Sequence, residues 1–102
     1  QSKQAPTAIF ADNDNLAHGA IQTLKNNGIL SPRDVSVIGF DDMPFCEMMD
    51  PKLTTVHVFK ERMGTLAIQR LAEMIEEKPQ EYIKSFIGTE LIIRESVRAI
   101  EE

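Results

Sequence analysis

The sequence predicts an α/β fold in which helices flank a parallel sheet, and three observations carry that prediction. Val35-Ser36-Val37-Ile38 is a short β-branched run without charge, the pattern of a strand buried on both faces. Ala8-Ile9-Phe10-Ala11 is a second short apolar run, and beyond it Leu16, Ala17, Ala20, Ile21 and Leu24 recur at the spacing of one helix face. The two runs bracket that helix within about thirty residues, the length of a strand–helix–strand unit with parallel strands.

Taken in order, residues 1–6 are polar, end in Pro6 and read as a frayed lead-in to the first strand. The helix that follows has a start signal, because Asp12 or Asn13 can cap its free N–H groups and Asp14 suits the positive end of its dipole. It has a stop signal as well. Lys25 stands in the last turn, Gly28 can supply a left-handed residue past the end, and Ile29 can fold back as the apolar contact. Ser31-Pro32-Arg33 turns the chain into the second strand, which stops abruptly at Gly39, Phe40, Asp41 and Asp42. The segment from Met43 to Pro51 is bracketed by prolines, which argues against a long regular element, yet it carries Phe45 and three methionines. Leu53 to Val58 reads as another strand. Met63, Leu66, Ala67, Leu71, Met74 and Ile75 mark a second amphipathic helix, closed near Lys78-Pro79. Tyr82 to Ile87 and Glu90 to Arg94 read as strand pieces separated by Gly88-Thr89, and residues 97–102 receive no assignment.

Composition narrows the function. The 102 residues carry a formal net charge of -5, so the chain is a poor phosphate binder and is not expected to contact nucleic acid itself. No apolar run approaches the roughly 20 residues that a membrane helix requires. No signal-like leader opens the sequence, and Gln1 as a first residue points to a piece of a longer protein. One cysteine, Cys46, excludes an internal disulfide and fits a reducing compartment. There is no Cys/His cluster with metal spacing, and neither a metal nor a cofactor is expected.

The polar residues at the two strand ends are the candidate site, since ligands of open α/β sheets bind beyond the carboxyl ends of the strands. Asp12, Asp14, Asp41 and Asp42 could act as hard oxygen ligands for Mg²⁺, but no Lys or Arg adjoins them to hold a phosphate. Two acids alone supply neither an activated nucleophile nor an oxyanion site. Binding of a hydroxyl-rich small molecule fits better, because a carboxylate accepts from adjacent hydroxyls while an asparagine both donates and accepts. Asn13 and Asp41 take the binding role in this reading, whereas Asp14 merely caps the helix and Asp42 is solvated. His18 lies on the flank of the first helix and His57 ends a strand, neither with a partner that makes a base or metal site. Cys46 reads as a small apolar residue, and the methionine-rich segment as an association surface.

Several stretches in register resemble the LacI/GalR family of bacterial transcriptional regulators. They are Asn13-Asp14-Asn15-Leu16-Ala17-His18-Gly19-Ala20, the run from Asp34 to Asp42, Leu53-Thr54-Thr55-Val56, Met63-Gly64 and Arg94-Glu95-Ser96. The resemblance extends from Pro6 to about Val97. It implies part of a two-subdomain, periplasmic-binding-protein-like effector domain with a Rossmann-like parallel sheet, and no enzymatic activity. Residues 7–57 would belong to the C-terminal subdomain, 58–88 to the N-terminal subdomain, and 89–102 to a return strand and tail. By the same resemblance, Asn13 and Asp41 would hydrogen-bond an effector, a sugar or in some members a purine. Asp12 stands where a small residue is common and would add a carboxylate to the cleft. The arginine with which many sugar-binding members hold their ligand lies outside this sequence. Dimerisation would use His18, Phe45, Cys46, Met48 and Met49, and operator DNA would be contacted through a helix-turn-helix head absent from this chain. Such a regulator would be a cytoplasmic homodimer without a membrane partner. The alternative is a periplasmic sugar-binding protein of a transporter, distinguished by whether a helix-turn-helix or a signal peptide is encoded upstream. Lacking the elements that would cover its sheet and second helix, the isolated chain is expected to be marginal or to self-associate.

Overall fold

Strand β1 (Ala8–Phe10) pairs in parallel with β2 (Ser36–Ile38), with Ala8 opposite Ser36, Ile9 opposite Val37 and Phe10 opposite Ile38. Between them runs helix α1 (Asp14–Asn26), which completes the strand–helix–strand unit expected from the apolar spacing. These elements belong to a computed structural model that describes residues 5–100. Residues 1–4 of the lead-in and 101–102 of the unassigned tail lie outside the described residues.

Both ends of α1 follow from local chemistry. Asn13 is the cap: its backbone is extended and its Oδ1 accepts the Leu16 N–H at 2.8 Å. At the other end the Ile29 N–H donates to Leu24 C=O and the Gly28 N–H to Lys25 C=O, with Gly28 at φ +81°. That is the paired closure of a helix by a left-handed residue, which glycine adopts without a Cβ penalty.

Beyond β2 the chain passes through a 3₁₀ turn (Pro44–Met48) into β3 (Thr55–His57). Strand β3 pairs antiparallel with β4 (Glu90–Ile92), His57 opposite Glu90. Parallel bridges Ile38–Thr54 and Asp41–His57 lay the extension of β2 beside β3. The Gly39 N–H donates to Thr54 C=O at 2.9 Å and the Asp41 N–H to Val56 C=O at 2.8 Å. The core under these strands is formed by Ala17, Ile21, Val35, Val37, Cys46 and Leu53. Each large apolar side chain buried there contributes about 1.5–3 kcal/mol relative to exposure.

The chain divides into two compact units. One runs to His57 and resumes at Glu90; the other is Val58–Thr89. The second unit holds helix α2 (Lys60–Glu77) and the segment after it, which together line an apolar groove of about 400 Å³ between Met63, Leu66, Met74, Tyr82 and Ile83. No residue of α2 is buried.

Two expectations need correction. Tyr82 to Ile87 is irregular rather than a strand, because no strand of the described residues lies within Val58–Thr89 to complete a ladder. Strand β1, expected to be buried, is an edge: Ile9 is half-buried, while Phe10 is 67% exposed.

Candidate functional site

Asn13 and Asp41 each lie three residues past register partners, Phe10 of β1 and Ile38 of β2. The parallel pair therefore carries both to the same end of the sheet, with Asp12 beside Asn13. Asp12 and Asn13 are exposed and Asp41 is half-buried. The capping bond of Asn13 engages only its amide oxygen, and the amide NH₂ is a separate donor.

The backbone at Asp41 and Asp42 is unusual. Their φ angles are +123° and +56°, a region that costs a non-glycine residue about 1–3 kcal/mol and persists only where the surroundings impose it. The surroundings are explicit here. The N–H groups of Asp41, Asp42 and Met43 donate in turn to Val56 C=O (2.8 Å), Thr55 Oγ1 (3.2 Å) and Asp14 Oδ2 (2.7 Å).

Asp14 is therefore more than a cap. It is fully buried, its Oδ1 accepts the Thr55 hydroxyl at 2.6 Å, and it sits in the first turn of α1, where the helix dipole favours a carboxylate. Gly39 is what admits it: a Cβ at that position would overlap Asp14 Oδ1 and come within 2.9 Å of Leu53 Cδ2. Burial pushes the neighbouring Cys46 thiol up to about 12, and Asp14 as a hydrogen-bond acceptor pushes the same way. Such a thiol is inert at neutral pH.

Asp42 is not solvated either. Its side chain is 15% exposed; Oδ1 accepts from Arg94 Nη2 at 2.8 Å and Oδ2 meets His57 Nδ1 at 2.8 Å. Burial works to raise the pKa of Asp42, but the hydrogen bonds from Arg94 and His57 outweigh it and hold the carboxyl below its usual range. Arg94 is anchored in turn by Nη1 on Leu53 C=O at 2.8 Å, with Glu47 Oε1 at 3.6 Å from Nη2. His57 and Arg94 take roles here that the sequence does not announce. Nothing in the local pattern marks them, since Arg94 stands 52 residues from Asp42.

With Asp14 committed to Thr55 and Met43, and Asp42 to His57 and Arg94, two of the four carboxylates considered for Mg²⁺ have their oxygens in use. Among the described residues, no group of three or more His, Cys, Asp or Glu stands ready to hold a metal. No helix of the described residues is long and apolar enough to cross a membrane.

The expected association residues separate. In the 3₁₀ turn and its flanks Cys46 is buried in the core, while Met43, Phe45 and Met49 pack against it and are only partly buried. Cys46 is fully buried and its inclusion in an association surface is corrected: the side chain cannot reach a partner. Met48 is 86% exposed, and His18 on α1 meets Phe45 edge to face, ring centroids 6.1 Å apart.

Parallel strands ending in a polar rim, with a helix N-terminus beside it, make an α/β domain of the kind that takes ligands at its strand ends. The chain belongs to the periplasmic binding protein-like domain family, which it matches over residues 1–97. It is 44% identical to the HTH-type transcriptional repressor PurR of Haemophilus influenzae (strain ATCC 51907 / DSM 11121 / KW20 / Rd), over 96% of this chain and 30% of that one. The putative transcriptional regulator LacI from Bacillus cereus subsp. cytotoxis NVH 391-98 has a TM-score of 0.90 at 28% identity, covering 98% of this chain and 36% of that one. A LacI family transcriptional regulator from Enterococcus faecium, solved with bound ribose, has a TM-score of 0.81 at 32% identity, covering 92% and 35%. The motif resemblance to LacI-type regulators is thus shown, for a part: the chain spans about 30% of the length of the curated relatives it matches.

Proposed function

We propose that this chain is the C-terminal part of the effector-binding region of a DNA-binding transcriptional regulator, without enzymatic activity and working in the cytoplasm. Residues 7–57 and 89–102 contribute to one subdomain and residues 58–88 to the other, and operator contact is made by a head outside this chain. Asn13 and Asp41 hydrogen-bond the hydroxyls or ring nitrogens of a sugar or purine effector, with Asp12 on the rim adding an acceptor. The observation that carries this reading is the equal offset of Asn13 and Asp41 past paired residues of two parallel strands. A solved relative that holds ribose supports the sugar class for a shared fold, and relatives named as repressors favour a regulator over a transporter component. Dimerisation runs along the flank of α1 and the segment after Asp42, through His18, Phe45, Met48 and Met49, of which His18 and Met48 are exposed and Phe45 and Met49 partly buried.

An effector acts by binding one of two conformations better than the other, which changes operator affinity by at most the ratio of those affinities. The test is to add D-ribose, cellobiose and adenine to the full-length protein and follow operator affinity. A change of about tenfold with at least one compound is expected, within the usual range of coupling between sites. No change with any of the three classes would sink the proposal.

A further inference from the structure

We infer that Asp42 is a positioning residue, which through Arg94 and His57 sets the direction in which Asp41 presents its carboxylate to the ligand. The inference rests on the reading of Asp41 as a ligand-binding residue. Two adjacent aspartates end the same strand extension, and their surroundings divide the work between them. Both oxygens of Asp42 are engaged inside the protein, one on Arg94 and one on His57, each at 2.8 Å.

The reason that engagement matters to the neighbour is the backbone. The Asp41 N–H is pinned to β3 by its bond to Val56 C=O, and from that fixed point the φ angle decides where the Asp41 side chain goes. At φ +123° the angle is not one that an aspartate holds unaided. Upstream, the chain is held by the Val56 bond; downstream, the Asp42 and Met43 N–H groups are bonded to Thr55 and Asp14, and Asp42, whose own φ is +56°, is further clamped by its side chain to His57 of β3 and to Arg94 just past β4. Arg94 can serve as a fixed post because its backbone N–H donates to Thr54 Oγ1 and its Nη1 to Leu53 C=O, both at 2.8 Å. Removing the Asp42 side chain leaves only the backbone bonds of Asp42 and Met43 to hold the downstream end, the longer of them 3.2 Å, and Asp41 relaxes toward negative φ with its carboxylate turned away from the position it now holds.

The test is a double-mutant cycle in the full-length protein, with D-ribose, cellobiose and adenine as calorimetric probes and a thermal melt of every sample. Asp41→Asn is expected to weaken the probe that binds by about tenfold. Asp42→Ala is expected to weaken it by a similar factor alone, and by less than about threefold in the Asp41→Asn background, because neighbours acting through one group are not additive. Asp42→Asn keeps an oxygen for Arg94 and offers an amide N–H to His57 Nδ1, which accepts it in the tautomer that carries its proton on Nε2, and restores affinity to within about threefold of wild type. A purely structural role would lower the melting temperature without producing this cycle. Should Asp42→Ala fail to fold, Arg94→Lys replaces it, since lysine keeps the charge and loses the forked geometry. Equal weakening in both backgrounds, or wild-type affinity in Asp42→Ala, overturns the inference alone. Wild-type affinity in Asp41→Asn, or a wild type that binds none of the probes, overturns the ligand reading, and the inference falls with it.

Discussion

Asp42 bonds to two side chains of the strand end, Arg94 and His57, and its titration is open to measurement. Its folded pKa is depressed: burial opposes the charge, and the bonds from Arg94 and His57 more than offset that opposition. A group of this kind stabilises the fold fully above its unfolded value, about 3.9 for aspartate, and the contribution is lost as pH falls through the lower folded value. Melting temperature of the full-length protein, followed from pH 6 to pH 3, should therefore fall more steeply below about pH 4 in wild type than in Asp42→Asn. Other carboxylates titrate in both proteins, so the difference reports Asp42 with its bonded partners Arg94 and His57. Parallel curves would mean that the Arg94 and His57 contacts contribute no net stabilisation to the charged form. Asp14 shows why the sequence misassigned both residues. A carboxylate one position past a cap looks like a dipole partner, and only the packing of Gly39 against it reveals a buried acceptor for Thr55 and Met43.

Helix α1 was legible because its signals are local: a cap at Asn13, an apolar stripe, and a left-handed Gly28 closing onto Leu24 and Lys25. The parallel pairing of β1 with β2 was legible from spacing alone. Tyr82 to Ile87 was not, because β-propensity describes fitness for a sheet and says nothing about whether a partner strand is present. Nor were contacts across 40 or more residues, and Ser96 illustrates them best. It is fully buried; its hydroxyl donates to Val37 C=O at 2.5 Å and accepts the Thr54 N–H at 2.9 Å, joining β2 to the residues leading into β3 from just past β4. Ser96→Ala leaves a buried carbonyl and a buried N–H without that partner, at a cost of about 2–4 kcal/mol. Denaturant unfolding of the full-length protein should show a lower midpoint with an unchanged slope. A loss under about 0.5 kcal/mol would show that water or a shifted backbone satisfies both groups.

At the scale of the whole molecule, the apolar surface is larger than its buried core can justify. Phe10 stands open on the edge strand, Ile68, Leu71 and Ile75 are exposed along α2, and Tyr82 and Phe86 are almost fully exposed, Tyr82 at 98%. Each square ångström of apolar surface left in water forgoes about 25 cal/mol, and extended apolar surface is what other protein covers. The curated relatives, of which this chain matches about 30%, have far more chain with which to do so. The isolated 102 residues should therefore associate with themselves. Light scattering across a hundredfold range of concentration should show mass rising with concentration. Substituting Ile68 and Ile75 by glutamine, both exposed on α2, should reduce that rise without loss of helical signal, since glutamine is a comparable helix former. A monomer at every concentration, unfolding in a single cooperative step, would mean that the core around Val37 and Leu53 suffices and that the open faces of β1 and α2 need no cover.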